Sequence, residues 1–451
     1  MNYGGRIMKK VAVIGLILLV GFLFFACGGG GGGSKDIELV FAYWGSEGEV
    51  ENTEAILAKY NASHPGVTVK GMHINQEEYT EKIMSMAAGG NLPDAGMILE
   101  ASIIGWARQG IMSTDDIYKD VGDKPLPYLA FKDGGNTVSW SAANEVLALW
   151  YNKDLFDAAG VEYPPASLDK AWSWDEFIEV AKRLTIDSNG RNATQAGFNR
   201  NNVEQYGCYI NQLAWQMEVW ALSNGGRFFS EDGRSIVFDD KAIEGMQKVF
   251  DLYVELGIGK PAPDQNDSGF GYGIGSGQVA MSTEGQWAVG FHELANSVFP
   301  DLDYGVGVLP YMQNKVTIST AGAVATFAGS KNPAAVAEFV RWYTSPEENF
   351  GTIAAGWWMP NLQSWYTDAK LPEWVNNNPA RAKIGAANYK SAVVDVALSN
   401  NTKSTCWYYT PNTDKIYAIL GPALMEAITG AKTAKEVVES VRARMESALN
   451  S

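Results

Sequence analysis

The chain contains little cysteine and little histidine, with three of each among 451 residues. It has no His-Glu-x-x-His, Gly-x-Ser-x-Gly or Cys-x-x-Cys motif. The sequence therefore indicates neither a metal site nor a metal-dependent or serine hydrolase, and we expect no cofactor. Apart from Cys27, only Cys208 and Cys406 remain. An oxidising compartment would let these two pair, and unpaired burial is the alternative.

Basic residues are also in short supply. There are 35 Lys and Arg against 51 Asp and Glu, which gives a formal net charge of −16. A surface of this charge repels nucleic acid and anionic lipid, so we expect no nucleic-acid partner. It also makes a strongly anionic solute a less favoured ligand.

One hydrophobic run stands out, from Val11 to Ala26. Three basic residues precede it, and Cys27 followed by six glycines comes after it. This order is typical of a secretory signal peptide, which we place at residues 1–26. The cysteine after the break resembles the lipobox of bacterial lipoproteins, which implies a lipid anchor on Cys27 and a glycine-rich tether over 27–36. An ordinary signal peptide or an uncleaved anchor helix is the alternative.

The segment after the tether alternates between strand and helix patterns. Buried strands are predicted at Ile37–Phe41, Val67–Met72 and Ala95–Leu99, with an amphipathic helix in each interval. Such alternation predicts a parallel sheet with helices on its faces. Ligands of open α/β sheets bind beyond the carboxyl ends of the strands, which here points to Trp44 and Glu100.

Two stretches have the form of a helix-starting capping box. Ser173-Trp174-Asp175-Glu176 places a serine at the N-cap and a glutamate three residues later. Ser345-Pro346-Glu347-Glu348 repeats the pattern with proline at the favoured first position. Both predict a helix that begins after the serine.

Several ordered segments together resemble one known family. They are Tyr151–Phe156, Ala159–Val161, Pro164–Pro165, Trp174–Phe177, Gly277–Met281, Tyr304–Pro310, Ser330–Asn332 and Ser345–Glu347. Their order and spacing resemble the extracellular solute-binding proteins of ABC importers, in the sugar-binding group that includes maltose-binding protein.

This resemblance implies an α/β, two-lobe periplasmic-binding-protein fold, with lobes linked by hinges around a central ligand cleft. The implied N-terminal lobe covers residues 37–143 and the C-terminal lobe 144–310. Residues 311–345 return to the N-terminal lobe, and 346–451 complete the C-terminal lobe. The chain would cross between lobes near Ala142–Leu147 and again near Val308–Met312.

Aromatic rings suit sugar binding because the C–H faces of sugars pack on them, and the chain has 15 tryptophans. Trp287, Trp407 and Tyr408 lie where the family places stacking rings. Trp44 and Glu100 are supported by their strand ends, and Asn144 by the first crossing. Core packing or a solvated rim position is the alternative for each. The complete set of predicted ligand residues is Trp44, Glu100, Asn144, Trp215, Trp287, Trp357, Trp358, Trp407 and Tyr408.

The resemblance implies a function without catalysis. We expect an exported, lipid-anchored and monomeric protein that captures a mono- or oligosaccharide and delivers it to the membrane subunits of an ABC permease. One alternative is a binding protein for another organic solute such as glycerol 3-phosphate. A second is a surface glycoside hydrolase or lyase, because many acidic pairs are available for such chemistry.

Overall fold

A computed structural model describes residues 36–45, 47–261, 270–290, 299–320 and 322–451. The predicted signal peptide, Cys27 and the glycines after it lie outside the described residues. Within the described part, no helix combines the length and apolar character needed to cross a bilayer.

The strands follow one another along nearly the whole described chain. In order they are β1 (Ile37–Tyr43), β2 (Val67–His73), β3 (Ala95–Ile98), β4 (Ala130–Asp133), β5 (Asn136–Trp140), β6 (Glu145–Asn152), β7 (Ile186–Asp187), β8 (Val203–Tyr209), β9 (Val279–Gly285), β10 (Tyr304–Gly307), β11 (Thr317–Thr320), β12 (Ala323–Thr326) and β13 (Thr402–Ser404).

Helices fill most intervals between the strands and most of the C-terminal part. In order they are α1 (Glu47–Ser63), α2 (Gln76–Gly89), α3 (Ile103–Arg108), α4 (Lys153–Ala159), α5 (Trp174–Leu184), α6 (Met217–Ser223), α7 (Asp240–Val254), α8 (Phe270–Gly275), α9 (Pro333–Tyr343), α10 (Phe350–Ala354), α11 (Leu371–Val375), α12 (Pro379–Ile384), α13 (Ala386–Tyr389), α14 (Asp395–Ala397), α15 (Thr413–Ile428) and α16 (Ala434–Leu449).

The first sheet confirms the strand and helix alternation predicted for the N-terminal segment. Its strand order is β12-β3-β1-β2, with β1 parallel to both β2 and β3 and with β12 antiparallel to β3. Helix α9 packs its apolar face on this sheet and on α1, where the ring of Phe339 meets Phe41 of β1 and Tyr60 of α1 at centroid distances of 5.4 and 5.0 Å. We call this sheet and its helices the first lobe.

The second sheet has the order β13-β11-β6-β9-β8-β7, and β10 pairs with the far end of β6. Strand β6 is buried along its whole length, as expected for a central strand covered on both faces. Helices α15 and α16 pack on each other and on α7. We call this sheet and its helices the second lobe.

The chain passes between the two sheets in two places that lie side by side. Glu145 of β6 pairs with Thr320 of β11, while Ser141 forms a bridge with Ala323 of β12. The two passages are also joined where the Ala142 N–H donates to the Gly322 carbonyl at 2.8 Å. The residues of this crossing region are Ser141, Ala142, Glu145, Thr320, Gly322 and Ala323.

The return passage lies farther along the chain than the predicted Val308–Met312, because β11 still belongs to the second sheet. The first passage falls within the predicted Ala142–Leu147 and just before it. The full division into lobes at residues 143, 310 and 345 remains a prediction.

One of the two predicted capping boxes is present. Ser173 accepts the Glu176 N–H, and the Glu176 carboxylate accepts the Ser173 N–H in return. The prediction for Ser345 is wrong, since residues 346–349 form a turn and α10 begins only at Phe350. Here the Ser345 hydroxyl donates to Glu347.

Cys208 and Cys406 are both free and buried, so the pairing alternative is not realised. Burial raises the pKa of both thiols. They behave as small buried residues and not as reactive thiols.

Candidate functional site

Three of the predicted ligand residues come together from distant parts of the chain. Trp215 precedes α6, Trp287 follows β9, and Trp407 lies in a single 3-10 turn, Cys406–Tyr408. The ring of Trp215 is 6.2 Å from that of Trp287 and 5.1 Å from that of Trp407. We call these three residues the tryptophan cluster. The Trp287 and Trp407 rings are tilted by 45° and 48° to the Trp215 ring, so the three form an angled aromatic surface.

The end of β9 explains how Trp287 reaches this position. A Cβ atom at Gly285 would lie 2.1 Å from the Trp287 ring, so the ring packs directly on the backbone of Gly285. Any residue with a Cβ atom at position 285 would occupy the space that the Trp287 ring fills. The glycine therefore sets the orientation of the aromatic platform.

A buried carboxylate, Glu284, lies beneath the tryptophan cluster. It accepts hydrogen bonds from the Asn211 amide at 3.0 Å, the Gln216 amide at 3.4 Å and the Gly285 N–H at 2.9 Å. The Trp287 indole also donates to it. Burial nevertheless raises the pKa of Glu284. Sequence reasoning did not single out Glu284, Gln216 or Asn211, because an isolated polar residue in a strand or loop carries no signal of its burial.

A pair of carboxyl groups lies at the crossing region. Glu100 follows β3 and is half-buried, with its carboxylate bonded by the Ala323 N–H. Desolvation, reinforced by the charge of Glu145, raises the pKa of Glu100 to about 8. Glu145 accepts the Thr320 hydroxyl at 2.9 Å, and burial raises its pKa to about 7. The pair connects the two lobes, and Glu145 was missed for the same reason as Glu284.

Asn144 and Tyr408 are buried within the protein. The Asn144 amide accepts from Tyr128 at 3.2 Å and donates to Tyr366 at 2.8 Å. The Tyr408 ring stacks on Phe131 at 4.3 Å, and its hydroxyl lies 2.8 Å from that of Ser141. Both side chains hold segments near the crossing region together.

The remaining three predicted residues make other contacts. The Trp44 ring meets Tyr79 edge-on at 4.7 Å. Trp358 packs on Gly322 of the crossing region, where a Cβ atom would approach its ring to 2.7 Å. Trp357 packs in the same way on Gly290.

Two surface cavities of the described residues are lined by other side chains. One of about 370 Å³ is lined by Met112, Phe327, Pro333 and their neighbours, and it includes none of the predicted ligand residues. A second of about 610 Å³ lies beside Arg227, Lys315 and Lys403. In the described part of the chain, no group of histidine, cysteine, aspartate and glutamate is arranged to hold a metal ion.

Comparison with known proteins shows the family. The model of the bacterial extracellular solute-binding protein family matches residues 44–350. A binding protein of Brucella abortus is 24% identical over 293 residues, which cover 62% of this chain and 65% of that protein. An sn-glycerol-3-phosphate-binding periplasmic protein of Agrobacterium fabrum is 25% identical over 269 residues, covering 55% of this chain and 54% of that protein.

A solved structure shows the fold. The ABC substrate-binding protein of Listeria monocytogenes, determined in complex with cycloalternan, superposes with a TM-score of 0.72. The match has 19% sequence identity and covers 92% of this chain and 99% of that one. The predicted two-lobe periplasmic-binding-protein fold is thereby confirmed.

Members of this family are exported and bind solutes without transforming them, which removes the alternative of a surface glycoside hydrolase or lyase. Because the family model spans most of the chain, this chain belongs to the bacterial extracellular solute-binding proteins.

Proposed function

We propose that this protein captures a carbohydrate between its lobes and delivers it to an ABC permease. The observation that carries the proposal is the tryptophan cluster directly above the buried Glu284 and Gln216. Aromatic faces bind the apolar faces of a sugar ring, and amide and carboxyl groups beside them bind its hydroxyls. The Listeria monocytogenes protein of the same fold binds cycloalternan, a saccharide, which supports the same ligand class here.

Glycerol 3-phosphate is the competing solute, because the Agrobacterium fabrum relative binds it. A phosphate group needs cationic or backbone N–H partners in the site. The groups next to the tryptophan cluster are instead the carboxyls of Glu284 and Glu218, which offer a phosphate no cationic partner. This favours a neutral or basic solute.

We give the nine residues predicted from the sequence separate roles in binding. The tryptophan cluster provides stacking faces, and Glu100 accepts ligand donors at the end of β3. Trp44, Trp357 and Trp358 contribute apolar surface at the margins. Asn144 and Tyr408 position the crossing region that closes the lobes around the ligand.

Titration of the purified protein, followed by tryptophan fluorescence and calorimetry, tests the ligand class. The panel contains neutral mono- and oligosaccharides and glycerol 3-phosphate. We expect saturable binding of at least one saccharide at micromolar concentration and none of glycerol 3-phosphate. Binding of glycerol 3-phosphate alone would overturn the proposal in favour of its competitor.

We further propose that Cys27 carries the lipid that keeps this monomeric protein beside its permease. The basic residues, apolar run and glycine tether around Cys27 support this anchor. Cys27→Ser should release the protein from the membrane fraction, or stall its processing, without changing solute affinity. A variant that remains membrane-bound and fully processed would contradict the lipid anchor.

A further inference from the structure

Four glutamate side chains surround the tryptophan cluster and the crossing region. Glu284 is bonded to Gln216, the neighbour of Trp215, and Glu218 accepts the Cys406 N–H at 3.1 Å, next to Trp407. The 3-10 turn that begins at Glu100 packs on the turn that contains Trp407. The four are Glu100, Glu145, Glu218 and Glu284.

These carboxyl groups have no basic partner in the described part of the chain. None of the salt bridges among the described residues includes any of the four. Burial raises the pKa of each group, as expected for acids that lack a compensating charge. A cation bound in this region would therefore stabilise the ionised form of these carboxyl groups.

The buried polar atoms of the described residues that lack a hydrogen-bond partner include one on Gln216 and one on Trp407. The Gln216 side chain is 2% exposed, and because its amide nitrogen is bonded to Glu284, its free Oε1 is an acceptor beside that carboxyl group. Trp407 is 9% exposed, and its indole N–H has no acceptor. Buried polar groups are almost always satisfied, so these two atoms indicate a ligand that supplies both a donor and an acceptor.

A protonated amine on a sugar ring supplies what this region lacks. An ammonium group offers three donors and a positive charge, which suit Gln216 Oε1 and the Glu100 carboxylate. The faces of Trp215 and Trp287 attract a cation through their π-electrons. The sugar hydroxyls provide an acceptor for the Trp407 N–H.

Resting on the proposed carbohydrate function, we propose that the solute is an amino sugar with a free, protonated amine held between Glu100 and the tryptophan cluster. A neutral sugar lacks the charge that the four carboxyl groups favour. An N-acetylated sugar lacks it too, and its acetyl group occupies the place of the ammonium donors. The protein should therefore distinguish these three forms of one sugar.

Calorimetry on the purified full chain tests this with matched disaccharides. The probes are β-1,4-linked glucosamine disaccharide, its N-acetylated form and cellobiose, the neutral analogue. We expect the free amine to bind about tenfold more tightly than cellobiose near neutral pH, the gain typical of a charge-assisted hydrogen bond. Cellobiose binding as tightly as the amine would overturn the inference and leave the carbohydrate function standing. Absence of binding by all saccharides would overturn both.

The number of protons released on binding is a second test of the ammonium contact, and it needs no mutation. Since the ammonium group stabilises ionised carboxylates, binding of the amine should release protons, and its observed enthalpy should depend on the ionisation enthalpy of the buffer. Cellobiose binding should show no such dependence. Equal proton release with both sugars contradicts the ammonium contact.

Glu100→Gln keeps the size of the side chain and removes its charge. This variant should lower the preference for the amine over cellobiose by about threefold to tenfold. The matched control is Glu179→Gln on the exposed side of α5, which should keep the wild-type preference. If a folded Glu100→Gln variant keeps the wild-type preference for the amine over cellobiose, Glu100 does not contact the ammonium group.

Discussion

Asp187, at the end of β7 before a loop of the second lobe, and Glu145, at the crossing region, both hold a carboxyl group away from solvent, yet their pKa values move in opposite directions. Burial pushes the pKa of Asp187 upward, but the N–H groups of Arg191, Asn199 and Asn189 and the Arg191 charge outweigh it and hold it at about 2. Glu145 has the Thr320 hydroxyl as its partner, and its pKa rises to about 7.

The difference shows what a buried acid does in each place. Asp187 is fully supplied with donors, so its charge stabilises the loop and leaves nothing for a ligand. Glu145, Glu218 and Glu100 have too few hydrogen-bond donors to stabilise their charged forms fully, so each exists in both neutral and charged forms near neutral pH. Buried acids of this kind destabilise the folded protein when they ionise and are typical of sites that bind or react.

The largest expected effect is a fall in stability as pH rises. The folded-state pKa values of Glu145 and Glu218, both about 7, lie above their ordinary value of 4.5. The folded protein therefore binds these protons more tightly than the unfolded chain. Their stabilising effect is complete below about pH 4.5 and is lost as pH rises through 7, with a cost of roughly 2–3 kcal/mol per group.

Urea unfolding at about pH 5 and about pH 9 measures this difference. Glu145→Gln and Glu218→Gln should each reduce it, because the amide cannot ionise. Glu179→Gln on the exposed side of α5 is the control and should leave it unchanged. If the wild-type protein is equally stable at both pH values, the ionised forms of these carboxyl groups are stabilised by hydrogen-bond donors as fully as that of Asp187.

The next effect concerns the stacking surface. Trp287→Ala should weaken saccharide binding by about 2 kcal/mol, because it removes one face of the tryptophan cluster. Trp172→Ala is the matched control, since Trp172 is half-buried near the α5 cap and should not change affinity. Isothermal titration with the best-binding saccharide distinguishes the two. Wild-type affinity in a folded Trp287→Ala variant rules out the platform role.

Replacing Asp187 should change the stability of the protein and leave its saccharide affinity unchanged. Asp187→Asn leaves Arg191 without its carboxylate, so we expect a loss of a few degrees in Tm with no change in saccharide affinity. The folded pKa of Asp187 is depressed, so this contribution is present at neutral pH and is lost as pH falls toward 2. Differential scanning calorimetry at neutral pH and about pH 3 measures it. A loss of affinity in the variant would contradict the separation between loop and site.

The regular part of the fold was predictable because its signals are local. The strands at Ile37, Val67 and Ala95 were recognised from apolar runs and helical spacing between them. The two serine signals show where such signals fail. Ser173 is followed by Phe177, Ala181 and Leu184, an apolar stripe that buries its helix, whereas the helix after Ser345 has only five residues. A cap starts a helix only where packing sustains it.

The acids of the site were not predictable because their burial depends on topology. Glu145 and Glu284 lie in strands that read as apolar, and nothing local distinguishes them from acids on a solvated edge. They become buried only when β6 pairs with β9 and β11 in the second sheet. The aromatic residues were more predictable. Trp215, Trp287 and Trp407 are all among the ligand residues predicted from the sequence, and the fold brings them together.

The smallest expected effect comes from changing the orientation of the Trp287 ring without removing the ring. Gly285→Ala keeps the Trp287 ring but places a methyl group where that ring now packs. The ring must rotate away from Trp215 and from Glu284, so saccharide affinity should fall by about 1 kcal/mol, less than for Trp287→Ala. Gly351→Ala is the control, because a Cβ atom there meets only the Asn52 side chain at an ordinary 3.6 Å. A Gly285→Ala variant that binds as the wild type does would show that the orientation of the ring is not what Gly285 provides. The platform would then depend on the apolar area of Trp287 alone.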